Sequence, residues 1–516
     1  MQQFCEVSIG HISKGKQLLS GKALSQALEG LARMEFHDSR CLEALLEAVP
    51  RGMVEMHPPQ VATSIASLGS LHVPWRQLSP RARRAIHSAT ARTIGGMSSP
   101  HILSILQGFE GMGALWSELP AALTTDLSTA LERVLPQSCA VTVVSCLVSL
   151  GHLQVEWSGL SPAVQDLLLD GYFQTNSMPN KNDPFGLREA ASPLSALSQM
   201  GVNIHSLPTL TLFHHLVALL DRHISRAGRQ DAANFLLLLG QLKVQLSSLP
   251  ESTRAKLMAF VQLEASSFRP KELAHVLLGL ANMGMRLEAV MSVTRVLLLR
   301  AMVLQVSSME KEELATALLA LGELGESWGQ LPIELKEQLL SALARTLPLL
   351  QPPILHMVLL SLRRLDFRWG PYHENGSHIN SIFADFTSSV LSVLSTPKDL
   401  KSTALLLAAL AESGFQWSSA DPRLLVAIEN AIITGWENGS TESGLVAALG
   451  IMGTPWNALS PQLQRILSLS LLNRADDMME EGALLSSIGD LAAMGLKWQQ
   501  LDPKLNGKRT TPRYIT

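Results

Sequence analysis

Cysteine, aromatic residues and surplus charge are all scarce in this chain of 516 residues. Its four cysteines include no CxxC pair, so neither a disulfide framework nor a zinc site is indicated. Its 41 basic and 44 acidic side chains leave a formal net charge of −3, which argues against tight non-specific binding of nucleic acid. No apolar run reaches the ~18 to 20 residues that a membrane-spanning helix needs. We therefore expect a soluble protein of a reducing, intracellular compartment.

Catalytic signatures are missing as well. The sequence contains no HExxH, no GxSxG, no P-loop and no GxGxxG motif. Its 15 histidines are scattered, and the adjacent pair His214 and His215 has no carboxylate or cysteine partner on the next turns of its predicted helix. We expect no enzymatic activity, no bound metal and no cofactor.

The sequence does contain an internal repeat that runs along almost its whole length. Eight of the nine tryptophans fall in one recurring frame, as in LGSLHVPWRQLSP and GIMGTPWNALSP, and isoleucine, leucine or aspartate fills the same slot in the other units. We call these slots anchors, and they are Asp38, Trp75, Trp116, Trp157, Ile204, Leu246, Leu287, Trp328, Trp369, Trp417, Trp456 and Trp498. Most steps between successive anchors are 41 or 42 residues, which is typical of stacked repeats.

Each unit predicts two helices. Between residues 269 and 304, Pro270 marks a helix start, and Leu273, Leu277 and Leu280 recur at helical spacing. A proline four or five residues after the anchor marks the start of a second helix in nine of the twelve units. Because two helices and their short connections fill one period, the unit is an αα-hairpin.

We predict an all-α fold: an α-solenoid of about twelve helix-turn-helix repeats of ~41 residues in a right-handed superhelix, without a β-sheet. The repeats are expected to span residues 23–503. Residues 1–22 are expected to form an N-terminal segment, either targeting or disordered, and residues 504–516 a C-terminal tail. The anchor tryptophans are expected to be buried at the hairpin bends, because isoleucine and leucine replace them and share only their apolarity.

Two positions of the first helix are polar within an otherwise apolar stretch, and they supply the candidate ligand-contacting residues. Counted back from the anchor, the minus-12 column includes Gln26, Thr63, Ser104, Ser145, Ser192, Asn234, His275 and Thr316. The minus-5 column includes His152, Gln199, Gln241, Asn282 and Glu323. Seven residues make almost two helical turns, so both columns face the same way, about 10 Å apart.

Polar columns of varied chemistry on parallel helices suit a protein that reads RNA one base per repeat. Mostly small residues lie between the columns at minus 8, such as Gly108, Ser149 and Ala320, and would leave room for bases. The same small residues would also let neighbouring helices pack closely, and a hydroxyl at minus 12 can bond to its own helix, so a structural interpretation stays open. Arg83 and Arg84 are the candidates for phosphate contacts, with a solvated helix face as the alternative.

The first-helix sequences KELAHVLLGLANMGM (residues 271–285), EELATALLALGELG (312–325) and QVATSIASLGSLHV (60–73) resemble the octotricopeptide repeat and are similar to the related heptatricopeptide repeat. The resemblance covers residues 24–501. It implies sequence-selective binding of single-stranded RNA in a mitochondrion or chloroplast, in support of transcript stability, processing or translation, or a structural place in an organellar ribosome. It also implies that the two polar columns contact the bases.

Two functions are therefore open. The leading one is a sequence-selective RNA-binding repeat protein. The alternative is a protein-binding scaffold of the armadillo or HEAT type without nucleic-acid binding, and both classes bind their partners on the surface of a solenoid. The varied chemistry of the columns favours RNA, whereas the acidic net charge favours a protein partner.

Overall fold

A computed structural model of the chain is built from helices, with no strand among the residues it describes. The structure describes residues 20–35, 39–177, 187–202, 204, 210–287, 292–346, 349–367, 390–391, 400–412, 415–419, 422–437, 444–476, 491 and 494–496. The predicted all-α class is confirmed over these residues. Most of the predicted N-terminal segment and all of the predicted C-terminal tail lie outside them, and the first helix begins at Gly21, two residues before the predicted start of the repeats.

The helices alternate between the two kinds that the repeat predicts. The first helices of the units are α1 Gly21–Arg33, α3 Pro58–Ser70, α5 Ser99–Gly111, α7 Ala140–His152, α9 Leu187–Gln199, α11 Arg229–Gln241, α13 Pro270–Asn282, α15 Lys311–Glu323, α17 Pro352–Arg364, α18 Leu400–Glu412 and α20 Gly444–Ile451. The second helices are α2 Ser39–Gly52, α4 Pro80–Thr93, α6 Ala121–Val134, α8 Pro162–Ser177, α10 Leu210–His223, α12 Glu251–Glu264, α14 Ser292–Gln305, α16 Ile333–Thr346, α19 Pro422–Glu437 and α21 Pro461–Asp476. The predicted helix-turn-helix unit is thereby confirmed.

The chain divides into two compact units, Met1–Val244 with Ser248–Lys256, and Gln245–Ser247 with Leu257–Thr516. In the first unit, α1, α3, α5, α7, α9 and α11 pack in sequence against one another, and α2, α4, α6 and α8 do the same. The second unit repeats the arrangement, with α13, α15, α17, α18 and α20 in one layer and second helices in the other. Each unit is therefore a two-layer stack of hairpins, as in an α-solenoid.

Neighbouring first helices approach so closely that their contact surfaces exclude side chains. A Cβ atom added to Gly108 of α5 would lie 2.5 Å from the carbonyl oxygen of Ile65 in α3. A Cβ added to Gly111 would lie 2.6 Å from the carbonyl oxygen of Gly69. Backbones in such contact need residues without bulk, which explains why small residues recur along the buried edge of the first helices.

A short 3-10 turn between the two helices of a repeat begins at the anchor in seven repeats, at Trp75, Trp116, Trp157, Leu246, Trp328, Trp417 and Trp456. The anchors Asp38, Trp369 and Trp498 lie outside the described residues. Trp75, Trp157 and Trp328 have relative exposures of 2%, 7% and 6%, while Trp116 is half-buried. The leucine three residues after the anchor is also buried, as Leu160 is with 4% exposure. The prediction of buried tryptophans at the bends is confirmed for these units, with Trp116 less deeply buried than expected.

The anchor also connects its repeat to the next repeat through the backbone. The N–H of Trp75 donates to the carbonyl of Met112 at 2.9 Å, and the N–H of Trp157 donates to that of Met200 at 2.8 Å. In the second unit the N–H of Leu287 makes the same bond to Leu324, also at 2.9 Å. In each case the acceptor is the residue that follows the first helix of the next hairpin. Because a backbone N–H does not depend on the side chain, leucine can occupy the slot without loss of this bond.

Among the described residues, the position three residues before the anchor, just after the first helix, has the left-handed backbone conformation. Glycine occupies this position, with φ between 62° and 85°, at Gly113, Gly201, Gly284, Gly325, Gly453 and Gly495. Residues with a Cβ occupy it, with φ between 49° and 62°, at Glu35, His72, Gln154, Lys243 and Asp366. The turn closes as a Schellman motif, in which the N–H of Val73 donates to the carbonyl of Leu68 at 3.1 Å.

Replacing His72 or Gln154 with glycine should raise the free energy of unfolding by about 0.5 to 1 kcal/mol in each case, because a Cβ is strained at positive φ. Urea denaturation of the single variants measures the change. Ala66→Gly within α3 is the matched control and should lower the free energy by a similar amount, since glycine is unfavourable inside a helix. A destabilised His72→Gly variant would contradict the prediction.

Three arginines near the ends of second helices connect their own repeats to the preceding repeats. Arg92 donates to the carbonyls of Met53 and Met56 at 3.0 and 3.1 Å. Arg133 and Arg345 occupy the same position relative to their anchors. Arg133 makes the equivalent pair of bonds to Ile94 and Met97, and Arg345 donates to the carbonyls of Ser307 and Met309. A charged donor that satisfies turn carbonyls contributes about 1.5 to 3 kcal/mol per bond, so these arginines stabilise the stacking of neighbouring repeats.

Candidate ligand-binding face

The exposed side of the first-helix layer is the candidate ligand-binding face, and we call it the open face. Along each first helix from α1 to α17 three positions reach solvent, at minus 12, minus 9 and minus 5 from the anchor, as Asn234, Leu237 and Gln241 do on α11. Positions three and four residues apart share one side of a helix, so the three side chains form a stripe. Neighbouring helices of the same unit extend each position of the stripe into a row.

Both polar columns predicted from the sequence are accessible. In the minus-12 column Gln26 and Ser192 are exposed, and Thr63, Ser104, Ser145, Asn234, His275 and Thr316 are half-buried. In the minus-5 column His152, Gln199 and Gln241 are exposed, and Asn282 and Glu323 are half-buried. None of these thirteen side chains is buried inside the helix layers, so the geometric condition for contact with a ligand is met.

Some hydroxyl groups of the minus-12 column are bonded to their own helix. Ser145 Oγ donates to the carbonyl of Val141 at 2.9 Å, and Thr316 Oγ1 donates to that of Glu312 at 2.7 Å. The structural interpretation of this column is thus confirmed at these two positions. A ligand there would meet the oxygen as an acceptor, because its proton is already used.

Two members of the minus-5 column connect adjacent first helices. His152 Nδ1 lies 2.6 Å from Glu110 Oε1, and Ser149 Oγ donates to the other carboxylate oxygen of Glu110 at 2.8 Å. In the second unit Glu323 forms an ion pair with Arg364, the minus-5 residue of the next repeat. A ligand that contacts these side chains has to compete with the partners they already have.

His275 is a neutral member of the minus-12 column. Burial lowers the pKa of its imidazole, and the nearby Lys271 ammonium lowers the pKa further. Both effects favour the uncharged imidazole, in which one ring nitrogen is a donor and the other an acceptor.

The small residues at minus 8 do not belong to the open face. Ser67, Ser149, Ala196 and Ala320 have exposures of 5%, 2%, 1% and 0%. The expectation that they leave room for a base is wrong, and the alternative, close packing of neighbouring first helices, is confirmed.

The surface position between the two columns is minus 9. The described residues of the minus-9 row are Glu29, Ala66, Gln107, Val148, Ser195 and Leu237 in the first unit and Leu278, Leu319, Leu360, Ala408 and Ala447 in the second. The three leucines of the second unit are half-buried. The open face therefore carries a row that is mixed in the first unit and apolar in the second, with the polar columns on either side.

Arg83 and Arg84 are not brought together with the two columns. Both belong to α4, in the second-helix layer, whose exposed side points away from that of the first-helix layer. Arg83 is half-buried near Glu118, whose pKa is lowered mainly by a hydrogen bond from Arg76, with a smaller effect from the Arg83 charge. Arg84 is exposed, and its Nε donates to the carbonyl of Pro80 at 3.3 Å. A strand lying along the open face does not reach either guanidinium.

The fold and the open face together define a class, the helical-repeat solenoid that presents one set of side chains per repeat. No family model matches the chain, and no curated protein matches it. The similar solved structures include the karyopherin Kap121p bound to the extreme C-terminus of the protein phosphatase Cdc14p, with 14% identity and a TM-score of 0.35. Kap121p bound to Pho4p is 13% identical with a TM-score of 0.36. SYS-1 is 11% identical with a TM-score of 0.33.

The alignments cover nearly all of this chain but different shares of the other proteins. The alignment with the Cdc14p complex covers 94% of this chain and 56% of Kap121p, and that with the Pho4p complex covers 92% and 52%. This chain therefore spans little more than half the length of Kap121p. The alignment with SYS-1 covers 99% of this chain and 93% of SYS-1.

Among the described helices, none combines the length and the apolarity required to cross a bilayer. Within the same residues, no three histidine, cysteine, aspartate or glutamate side chains are grouped so that they could hold a metal ion.

Proposed function

We propose that this protein binds single-stranded RNA along the open face and reads one base per repeat. The observation that supports the proposal is the accessibility of both polar columns on one side of consecutive first helices, beside minus-8 residues that are buried. Seven of the twelve repeats, those with anchors at 38, 75, 157, 204, 246, 287 and 328, offer two polar side chains with the minus-9 side chain between them. Single-stranded bases are read through hydrogen bonds to their edges and through contacts with their faces, which this arrangement can supply.

The charge of the open face determines where the affinity would come from. Arg33 of α1 is paired with Glu29 at 2.6 Å, and Arg364 of α17 is paired with Glu323. Because these cations are already neutralised, contacts with phosphate contribute little, and contacts with bases contribute most of the affinity. We accordingly expect the affinity for RNA to fall less steeply with salt than it does for proteins that bind mainly through phosphates.

Replacing Asn234 and Gln241 together with alanine should change the base preferred at one position of a selected RNA. Both residues belong to the same repeat, and the loss of their hydrogen-bonding pattern should reduce discrimination by about 1 to 3 kcal/mol, as for comparable bidentate contacts to DNA. Selection from a pool of random single-stranded RNA, followed by sequencing, measures the preference for the wild-type protein and the variant.

The matched control is the double variant Gln77→Ala and Gln137→Ala, which removes two exposed amides from turns outside the open face. It should retain the wild-type preference. If the wild type selects no sequence, or if the Asn234 and Gln241 variant folds normally and selects the same sequence, RNA reading through these columns is excluded.

The alternative function, a protein-binding scaffold of the armadillo or HEAT type, is favoured by one observation. Leu278, Leu319 and Leu360 form an apolar row on the open face of the second unit, and a helical segment of a partner could pack its apolar side against it. Replacing all three with serine distinguishes the two functions. Loss of RNA binding supports the proposal. A wild-type protein that binds no RNA, combined with loss of a co-purifying protein in the variant, supports the scaffold.

The cellular role extends the proposal through the resemblance to octotricopeptide and heptatricopeptide repeats. On that basis we place the protein in a mitochondrion or chloroplast, where it would support RNA stability, processing, translation or ribosome assembly. Fractionation of cells that express the tagged protein tests the location, and recovery outside both organelles would overturn it.

A further inference from the structure

A groove with arginines along its rim lies between α2 and α4, on the second-helix side of the first unit. Its volume is about 500 Å³. It is lined by Pro50, Val54, Arg81, Arg84, Ala85, Ser88, Ala89 and Arg92, and none of these residues is acidic. In a protein with a net charge of −3, three arginines around one groove make a local concentration of positive charge.

The three guanidinium groups differ in how far they are already engaged. Arg92 uses a terminal nitrogen to hold two carbonyls of the preceding unit, so it fixes one end of the groove. Arg84 uses its Nε in a bond to its own helix, and Arg81 is exposed at the start of α4. A guanidinium has five N–H donors, so Arg81 and Arg84 keep donors for an anionic ligand.

The apolar part of the groove indicates what kind of anion fits. Val54 has an exposure of 65%, and it lies beside Pro50 and the methyl groups of Ala85 and Ala89. A phosphate backbone gains nothing from such a surface, whereas a peptide that alternates carboxylates with apolar side chains matches both the rim and the floor. Residues 1–19 of this chain carry two lysines and one glutamate, so their charge does not complement the groove.

We propose that the groove between α2 and α4 is a docking site for an acidic, amphipathic segment of a partner protein. Carboxylates of the segment bind Arg81 and Arg84, and an apolar side chain packs on Val54. The groove faces away from the open face, so a ligand can occupy each side at the same time. The proposal does not depend on RNA binding.

The test uses the full chain and a short fluorescein-labelled peptide of glutamate, leucine and alanine. Two matched peptides carry glutamine in place of glutamate or serine in place of leucine. The protein variants are Arg81→Glu with Arg84→Glu, and Val54→Ser, and the control is Arg226→Glu with Arg300→Glu, which changes the net charge equally at exposed sites elsewhere. Fluorescence anisotropy measures Kd, and circular dichroism checks that each variant is folded.

The wild type and the control should bind the glutamate peptide alike, whereas the Arg81 and Arg84 variant should bind it about tenfold more weakly, because two favourable charge contacts become repulsive. Val54→Ser and the serine peptide should each weaken binding about threefold or more. Three outcomes would overturn the proposal. They are the absence of wild-type binding, equal binding of the glutamine peptide, and weakened binding of a single-stranded RNA, with unchanged peptide binding, in the Arg81 and Arg84 variant.

Discussion

Replacing Trp157 with alanine should lower the free energy of unfolding by about 3 to 5 kcal/mol, the range found for removal of large aromatic side chains from cores. The indole is 7% exposed in the turn between α7 and α8. The backbone N–H of Trp157 donates there to the carbonyl of Met200 in the next hairpin. Removal of the indole therefore leaves a cavity where two hairpins meet. Urea denaturation gives the total loss, and hydrogen exchange should locate the loss at α7, α8 and α9.

Two further variants test the cause of this loss. Trp157→Leu should lose much less, because leucine already occupies the slot at Leu246 and Leu287 and preserves the apolar contact. Trp116→Ala should also lose less, because Trp116 is half-buried. If Trp116→Ala is as damaging as Trp157→Ala, burial at the bend does not explain the role of the anchor.

Replacing Arg295 with leucine should lower the free energy of unfolding by about 3 to 5 kcal/mol, since it leaves a buried carboxylate without its partner. Glu326 has a side-chain exposure of only 1%, and Arg295 holds both of its oxygens, at 2.6 and 2.7 Å. The position is apolar in other units, as at Val73 and Val155. The ion pair thus replaces an apolar contact between two hairpins of the second unit.

A double-mutant cycle separates the interaction energy of Arg295 and Glu326 from the effects of the two single substitutions. Glu326→Val alone should be less harmful than Arg295→Leu, because the guanidinium, whose side chain is 31% exposed, can reach water. The double variant Arg295→Leu and Glu326→Val should recover most of the loss, because apolar residues commonly replace a buried ion pair at little cost. A double variant as unstable as Arg295→Leu would mean that the pair itself stabilises the stack.

The helices and their order could be predicted from the sequence because the same frame recurs at a nearly constant period. Proline after the anchor and glycine before it marked the ends of helices through local backbone preferences, which do not depend on the rest of the fold. His72 and Gln154 take the left-handed conformation without glycine, and only the alignment of the repeats indicates it there.

The composition of the open face could be predicted only in part. Positions minus 8 and minus 9 differ by about 100° around the helix axis, and both lie near the two polar columns. Which of them faces the neighbouring helix depends on how helices pack, not on helical periodicity. The small size of Gly108, Ser149 and Ala196 was the available signal, since it indicates close backbone contact.

The arginine groove was not predicted for a related reason. Its two sides come from α2 and α4, which belong to different repeats, so their apolar and charged residues are far apart in sequence. The position of Arg84 after the anchor does, however, predict that it lies on the second helix. In a two-layer stack the exposed side of that helix points away from the two polar columns.

The bond from each anchor N–H to the next hairpin has a consequence for synthesis of the chain. The N–H of Trp116 is satisfied only by the carbonyl of Leu153, which the ribosome adds later. At about 5 to 20 residues per second, roughly 40 residues take some 2 to 8 seconds. During that interval the newest hairpin exposes to water both the anchor N–H and an apolar edge. The growing chain is therefore one repeat short of a closed surface at each stage of its synthesis.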